Sequence, residues 1–235
     1  MDQWASQIRN ARSTSEQISV LKALKNHLIG HPLKKELAVA SGVLDPVVRL
    51  VYNRPASRNG SKSHDHSFAS KPLGEEESVR LQGLYVIASI STGNEPIFYA
   101  YKTAFNKLPG GPSFLPRLQS ASALPAILSN ICPSSNPSQI VLASVRALSN
   151  LADAAILAPH TSPLSTIVLA EALFARQHLN SICRILSQSS PSTTVQCQIA
   201  VTASLISRIC REERHQQSLA SSGYVALERR LLFLL

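Results

Sequence analysis

Aromatic side chains are scarce in this sequence: six Phe, five Tyr and one Trp make up only 5% of residues, although 44% of the chain is hydrophobic. The core must therefore be built from Leu, Ile, Val and Ala, which suits closely stacked helices and argues against a large aromatic-lined ligand pocket. Cysteine is thin as well. Cys132, Cys183, Cys197 and Cys210 form no Cys-x-x-Cys pair and have no histidine at a zinc-finger interval, so they read as reduced, small core residues. Long apolar runs are missing. Even residues 165–175 are interrupted by Glu171, short of the roughly 18 residues that mark a membrane span. The opening Met1-Asp2-Gln3-Trp4 lacks the basic segment and apolar stretch of a secretory signal, so a soluble, intracellular chain is expected. Paired carboxylates, metal-ligand clusters and Gly-x-Ser-x-Gly are also missing. No catalytic, cofactor-binding or metal-binding residue is predicted, no cofactor is implied, and the expectation is a protein that is not an enzyme.

The charge balance is basic, with a formal net charge of +9. Such a balance invites nucleic acid, because Lys and Arg contacts to phosphate dominate that affinity. Here the bases are scattered and interleaved with acids, as in Arg211-Glu212-Glu213-Arg214, and no aromatic stacking motif accompanies them. Nucleic acid is a minority reading.

What the sequence does contain is a copy of part of itself. Residues 23–42 (ALKNHLIGHPLKKELAVASG) lie without a gap on residues 204–223 (SLISRICREERHQQSLASSG). In both, an apolar helical stretch (Leu24, Leu28, Ile29 against Leu205, Ile209, Cys210) meets a charged hinge and then a short helix ending in Ser-Gly. A closing segment recurs less faithfully at residues 43–51, 123–128 and 178–186. Repetition of a whole helix-hinge-helix order marks a helical repeat protein. A chain of 235 residues holds five to six units of roughly 40 residues each. Insertions reduce this to about four.

Along the chain, Trp4, Ala5, Ile8 and Ala11 have the spacing of an N-terminal helix that caps the first unit. A helix from about Ser15 to Leu28 is ended by Gly30 to Pro32; a short helix runs to Ala40, and another covers Val43 to Tyr52. Residues 54–74 (RPASRNGSKSHDHSFASKPLG) are rich in Ser, Gly, Pro and bases and are predicted to be a disordered insertion. The division is thus residues 1–53 as cap and first unit, 54–74 as insertion, and 75–235 as the remaining units. His64 and His66 around Asp65 read as solvated rather than as a metal site, and the serines of this segment are unspecific phosphate acceptors.

Helical period returns at Glu75-Glu76-Glu77 and continues through Leu81, Leu84, Val86, Ile87 and Ile90. Residues 97–105 read as a short helix, Pro109 to Pro112 as a smaller insertion, and residues 124–131 as a closing helix. A long helix starting at 136–139 turns Val141, Leu142, Val145, Leu148 and Leu151 inward. Pro159 to Pro163 form a loop, helices follow to about Arg176 and to Ser187, and the last unit begins near Val195. The chain stops at Arg230-Leu231-Leu232-Phe233-Leu234-Leu235. A solenoid normally finishes in a polar cap, so this apolar ending predicts an uncapped end, belonging either to a shortened array or to one covered by a partner.

Residues 144–151 (SVRALSNL) are similar to the Ala-Leu-x-Asn-Leu core of an armadillo concave helix, and residues 23–26 (ALKN) repeat it in outline. The fold class is accordingly all-α: an armadillo-like right-handed helical solenoid of about four repeats with a disordered insertion. Residues 24–30 (LKNHLIG) and 42–50 (GVLDPVVRL) resemble the first repeat of the armadillo repeat-containing protein 8 and vacuolar import and degradation family. Cys197-Gln198-Ile199, with His215-Gln216 and Ser222-Gly223 downstream, resembles a later repeat of it. The match spans only the N-terminal part of a usually longer family. The resemblance implies a non-catalytic scaffold of the GID/CTLH ubiquitin ligase, cytoplasmic and nuclear, which docks on the ligase core and, in longer forms, holds a substrate receptor.

Armadillo proteins use asparagine amides of the concave helices to clamp an extended partner, since one amide both donates and accepts. Asn26 and Asn150 take that position, with Val86 and Ser207 as equivalents, while Lys22, Gln82, Arg146 and Ala203 replace the Trp ladder of nuclear-import adaptors. The candidate partner-binding residues are Lys22, Asn26, Gln82, Arg146, Asn150 and Ser207. Arg49, Arg184 and Arg230, with Ser129 in the fourth unit, form a second recurring position that reads as a solvated outer stripe. The alternatives are a nuclear-import-type cargo adaptor, disfavoured by the single Trp and basic balance, and a nucleic-acid-binding repeat protein.

Overall fold

The computed structural model describes residues 3–52, 72–92, 114–157, 162 and 164–222. Twelve helices and no strand occur among them: α1 (Gln3–Asn10), α2 (Thr14–Leu28), α3 (Pro32–Ala40), α4 (Leu44–Val51), α5 (Glu75–Ser91), α6 (Leu115–Ser120), α7 (Ala123–Leu128), α8 (Ser138–Ile156), α9 (Thr166–Phe174), α10 (Arg176–Ser187), α11 (Thr193–Ile209) and α12 (Glu213–Ser221). One long helix followed by two short ones is the recurring order. The long helices α2, α5, α8 and α11 pack side by side in sequence order, and the short ones form the layer behind them.

Local chemistry sets the helix ends. Ser13 caps α2 by accepting from the Glu16 amide at 3.1 Å, while the Glu16 carboxylate accepts from the Arg12 amide at 2.8 Å. At α5 the Gly74 amide donates to the Glu77 carboxylate at 2.8 Å, and the three leading glutamates complement the positive end of the helix. Gly30 and Gly42, both at φ +73°, make the corners that separate α2, α3 and α4. Ser122, at φ 59°, makes the corner between α6 and α7 that Gly42 makes between α3 and α4. The same left-handed corner is kept there without a glycine.

The core is one continuous aliphatic cluster. Leu21, Leu24 and Leu28 of α2, Leu84, Ile87 and Ile90 of α5, and Val141, Leu148 and Leu151 of α8 are fully or almost fully buried. Each such side chain contributes about 1.5–3 kcal/mol of transfer free energy. Both α2 and α4 pack on α5, so the core runs unbroken past residues 54–74. Of that insertion, residues 54–71 lie outside the described residues, whereas Leu73 packs against the core just before α5.

Most predicted helix bounds agree with the structure to within two or three residues. Residues 97–105 and 109–112 lie outside the described residues, as do most of the loop at 158–163, Gly223 and the apolar ending. The described short helix before the Ser122 corner is α6, Leu115–Ser120, which Pro116 starts just as Pro32 starts α3. The cysteines are a correction in part: all four are free, Cys183 and Cys210 are half-buried against the core, Cys132 is half-buried, and Cys197 is exposed on α11. Leu142 is likewise only half-buried.

Candidate protein-interaction face

Each long helix buries one stripe in the core and turns the opposite stripe outward. On α2 the outward residues are Ser19, Lys22 and Asn26, all exposed; on α5 they are Gln82, Tyr85 and Ser89, half-buried between their neighbours. On α8, Arg146 is exposed and Ser149 and Asn150 are half-buried, and on α11 Ser204 and Ser207 are exposed. These spacings of three and four residues are those of a single helical face. All six candidate residues therefore lie on the row of long helices, Lys22 and Asn26 on α2, Gln82 on α5, Arg146 and Asn150 on α8, and Ser207 on α11.

Two residues aligned with them do not share that exposure. Val86 is 0% exposed and Ala203 is 7% exposed, so the outward positions are Tyr85 on α5 and Ser204 on α11. A helix turned by one residue moves a side chain through about 100° around the axis, enough to take it from the surface to the core.

Polar contacts strap the outward edges together. Asn150 Nδ2 donates to the Ala88 carbonyl and to Thr92 Oγ1, both at 3.1 Å, tying α8 to the C-terminal end of α5. Lys25 Nζ lies 5.8 Å from the Tyr85 ring centroid, joining α2 to α5 through a cation–π contact. The Arg208 guanidinium on α11 bonds the Asp153 carboxylate and the Ser149 hydroxyl on α8. Asn150 thus spends its donors on its own chain, while Lys22 and Arg146 project from the same face. Sequence reasoning missed Tyr85, Ser149, Asp153 and Arg208. The i, i+4 spacing of Ser149 and Asp153 was a weak sign of a shared face, but nothing in the sequence paired them with Arg208.

Behind the long helices lies a polar hub that the sequence did not announce. Asn130 is fully buried, and its amide nitrogen donates to the carbonyls of Val51 and Ala126 at 2.9 Å each. Its oxygen accepts from Arg80 Nη1 at 3.2 Å, and the same guanidinium nitrogen reaches Asn136 Oδ1 at 3.1 Å. One side chain thereby fixes the ends of α4 and α7 and the flank of α5, setting how α5 is presented in the row.

The outer arginines Arg49 and Arg184 are exposed on α4 and α10, and Arg184 Nη1 donates to Ser134 Oγ at 3.1 Å. Arg230 lies outside the described residues. In the turn before α8, burial pushes the Cys132 thiol up, but hydrogen bonds with Ser134 and Ser135 and a further one with Ser181 outweigh it and bring it down to about 7. Among the described residues no three His, Cys, Asp or Glu side chains come together in a way that would hold a metal ion, and no helix is long and apolar enough to cross a membrane.

No protein-family model matches the chain, and no curated protein matches it significantly. Solved structures do. A designed armadillo repeat protein in complex with the peptide (KR)4 is similar at 17% identity and a TM-score of 0.60, covering 95% of this chain and 70% of that one. An engineered protein is similar at 13% identity and a TM-score of 0.61, covering 95% of this chain and 68% of that one. Long helix, corner, two short helices, repeated with the long helices in a row, is the armadillo arrangement, and the chain is an all-α, armadillo-like solenoid.

Proposed function

We propose that this chain is a non-catalytic scaffold that binds protein segments along the outward face of its long helices, as a subunit of a GID/CTLH-type ubiquitin ligase in the cytoplasm and nucleus. The observation that carries the binding role is the unbroken row of four long helices, each offering polar side chains on the same surface. Such a row presents donors and acceptors at a regular interval, which suits an extended polypeptide whose own backbone groups repeat. The designed armadillo neighbour, itself a complex with a peptide, supports this use of the fold. The ligase assignment rests on the resemblance of residues 24–30, 42–50 and 197–199 to the armadillo subunit family. In this reading the chain docks on the ligase core, and a substrate receptor joins where longer forms supply further repeats.

The test is affinity purification of the tagged full chain from its native cell, followed by mass spectrometry. RING and CTLH-type subunits are the expected company. Their consistent absence, with the chain folded and expressed, would remove the ligase assignment. Recovery of transport factors would favour a nuclear-import-type adaptor, a reading disfavoured by Lys22, Gln82 and Arg146 standing where that ladder needs tryptophan.

A further inference from the structure

The outward face has a sign. Lys22 and Lys25 on α2, Arg146 on α8 and Arg208 on α11 bring four cations to it, spread from one end of the row to the other. The carboxylate among them is Asp153, and it is already bridged by Arg208. Glu16 and Glu75 sit at the N-terminal edge of α2 and α5, where they accept hydrogen bonds from Arg12 and Thr14. Lys22 and Arg146 are exposed, and neither belongs to the ion pairs among the described residues. Their charges are therefore available to a partner.

We propose that this face binds an extended acidic peptide segment, with Lys22 and Arg146 as its two main charge contacts and Asn26, one turn from Lys22 on α2, as an added donor. Helices packed side by side stand about 8–10 Å apart, so four of them span roughly 24–30 Å, which an extended strand covers with about eight or nine residues. Acidic side chains on alternate residues of such a strand point to one side and meet the cations. Rim charges of this kind act on encounter rate and partner choice, and salt weakens them. A basic peptide would meet like charge at Lys22 on α2 and Arg146 on α8.

The inference rests on the scaffold reading for its use of this face, and the experiment separates the two. Binding of a fluorescein-labelled peptide of alternating aspartate and serine, about ten residues long, is measured by anisotropy on the full chain. A peptide of alternating lysine and arginine and a single-stranded RNA of similar length serve as competitors. The expected result is acidic-peptide binding that weakens about tenfold in Lys22→Glu/Arg146→Glu. The milder Lys22→Gln/Arg146→Gln should fall between that variant and the native chain. Unchanged melting of both variants shows that the fold is kept. Equal binding by the native and reversed chains, or preference for the basic peptide, overturns the proposal, and tighter binding of RNA than of the peptide turns it toward nucleic acid. Acidic-peptide binding by a chain that recovers no ligase subunit leaves the charge reading standing and removes the ligase. Normal recovery of ligase subunits by a chain that binds no acidic peptide does the reverse.

Discussion

Replacing Asn130 with alanine removes four hydrogen bonds from a fully buried site: two donated to the carbonyls of Val51 and Ala126, a longer one donated to Ser129 Oγ at 3.2 Å, and one accepted from Arg80. A neutral hydrogen bond contributes about 1 kcal/mol and one to a charged group about 1.5–3 kcal/mol. The Ala126 carbonyl keeps a second donor, Ser129 Oγ at 2.8 Å, and half-buried Arg80 keeps Asn136, so the losses do not add in full. The Val51 carbonyl is the group left without its side-chain donor, and desolvation without a partner costs about 1–3 kcal/mol. The expected loss is about 3 kcal/mol, read from urea unfolding followed by circular dichroism. At roughly 2–4 °C per kcal/mol for a chain of this size, the melting point falls by about 6–12 °C. A double-mutant cycle with Arg80→Met adds a second check, since two groups in one network should couple by about 1–2 kcal/mol. A loss below about 1 kcal/mol for Asn130→Ala, or no coupling to Arg80, would refute the view that this hub locks α4, α5 and α7 together.

Three further outcomes are expected. A Cβ on Gly83 of α5 would lie 2.6 Å from Val51 Cγ2, a stiff β-branched side chain whose own carbonyl is held by Asn130, so Gly83→Ala gains about 1 kcal/mol in helix propensity but loses about 1–3 kcal/mol to overpacking. Thermal melting should show no gain and up to about 2 kcal/mol of loss, relieved in Gly83→Ala/Val51→Ala relative to the sum of the single changes. Thr202 is fully buried with its hydroxyl unpartnered, beside an apolar cavity of about 10 Å³ that barely admits one water, so Thr202→Val should stabilise by about 1 kcal/mol in the same assay. Cys132, with its thiol held at about 7, is half thiolate near neutrality, and its alkylation by iodoacetamide should level off by about pH 8. Cys210, which burial pushes up, should still be gaining rate there; mass spectrometry of the labelled peptides reads both profiles.

Helix order and the repeat were legible because they depend on local rules. Gly30 to Pro32 stop one helix and start another, Glu75 to Glu77 announce a helix start, and the Leu and Ile spacing marks each buried stripe. Asn26 and Asn150 were placed on the long helices by their repeat register, and both stand on the outward side. The repeat register fails at Val86 and Ala203, where it sets in the outward row an apolar residue that packing turns inward. Asn130 looked like an ordinary polar residue at a helix end, since no local pattern tells a buried amide from a solvated one.

The sequence by itself determined that this chain makes long and short helices in a repeated order and builds its core from aliphatic side chains, because capping, propensity and period act within a few residues. Only the tertiary structure decided the rotation of each long helix about its axis. That rotation is fixed by contacts between elements far apart in the chain, such as Arg80 with Asn130, Asn150 with Ala88 and Arg208 with Asp153. A single residue of rotation exchanges core for surface, so the charge of the outward face became readable only once those contacts were in place.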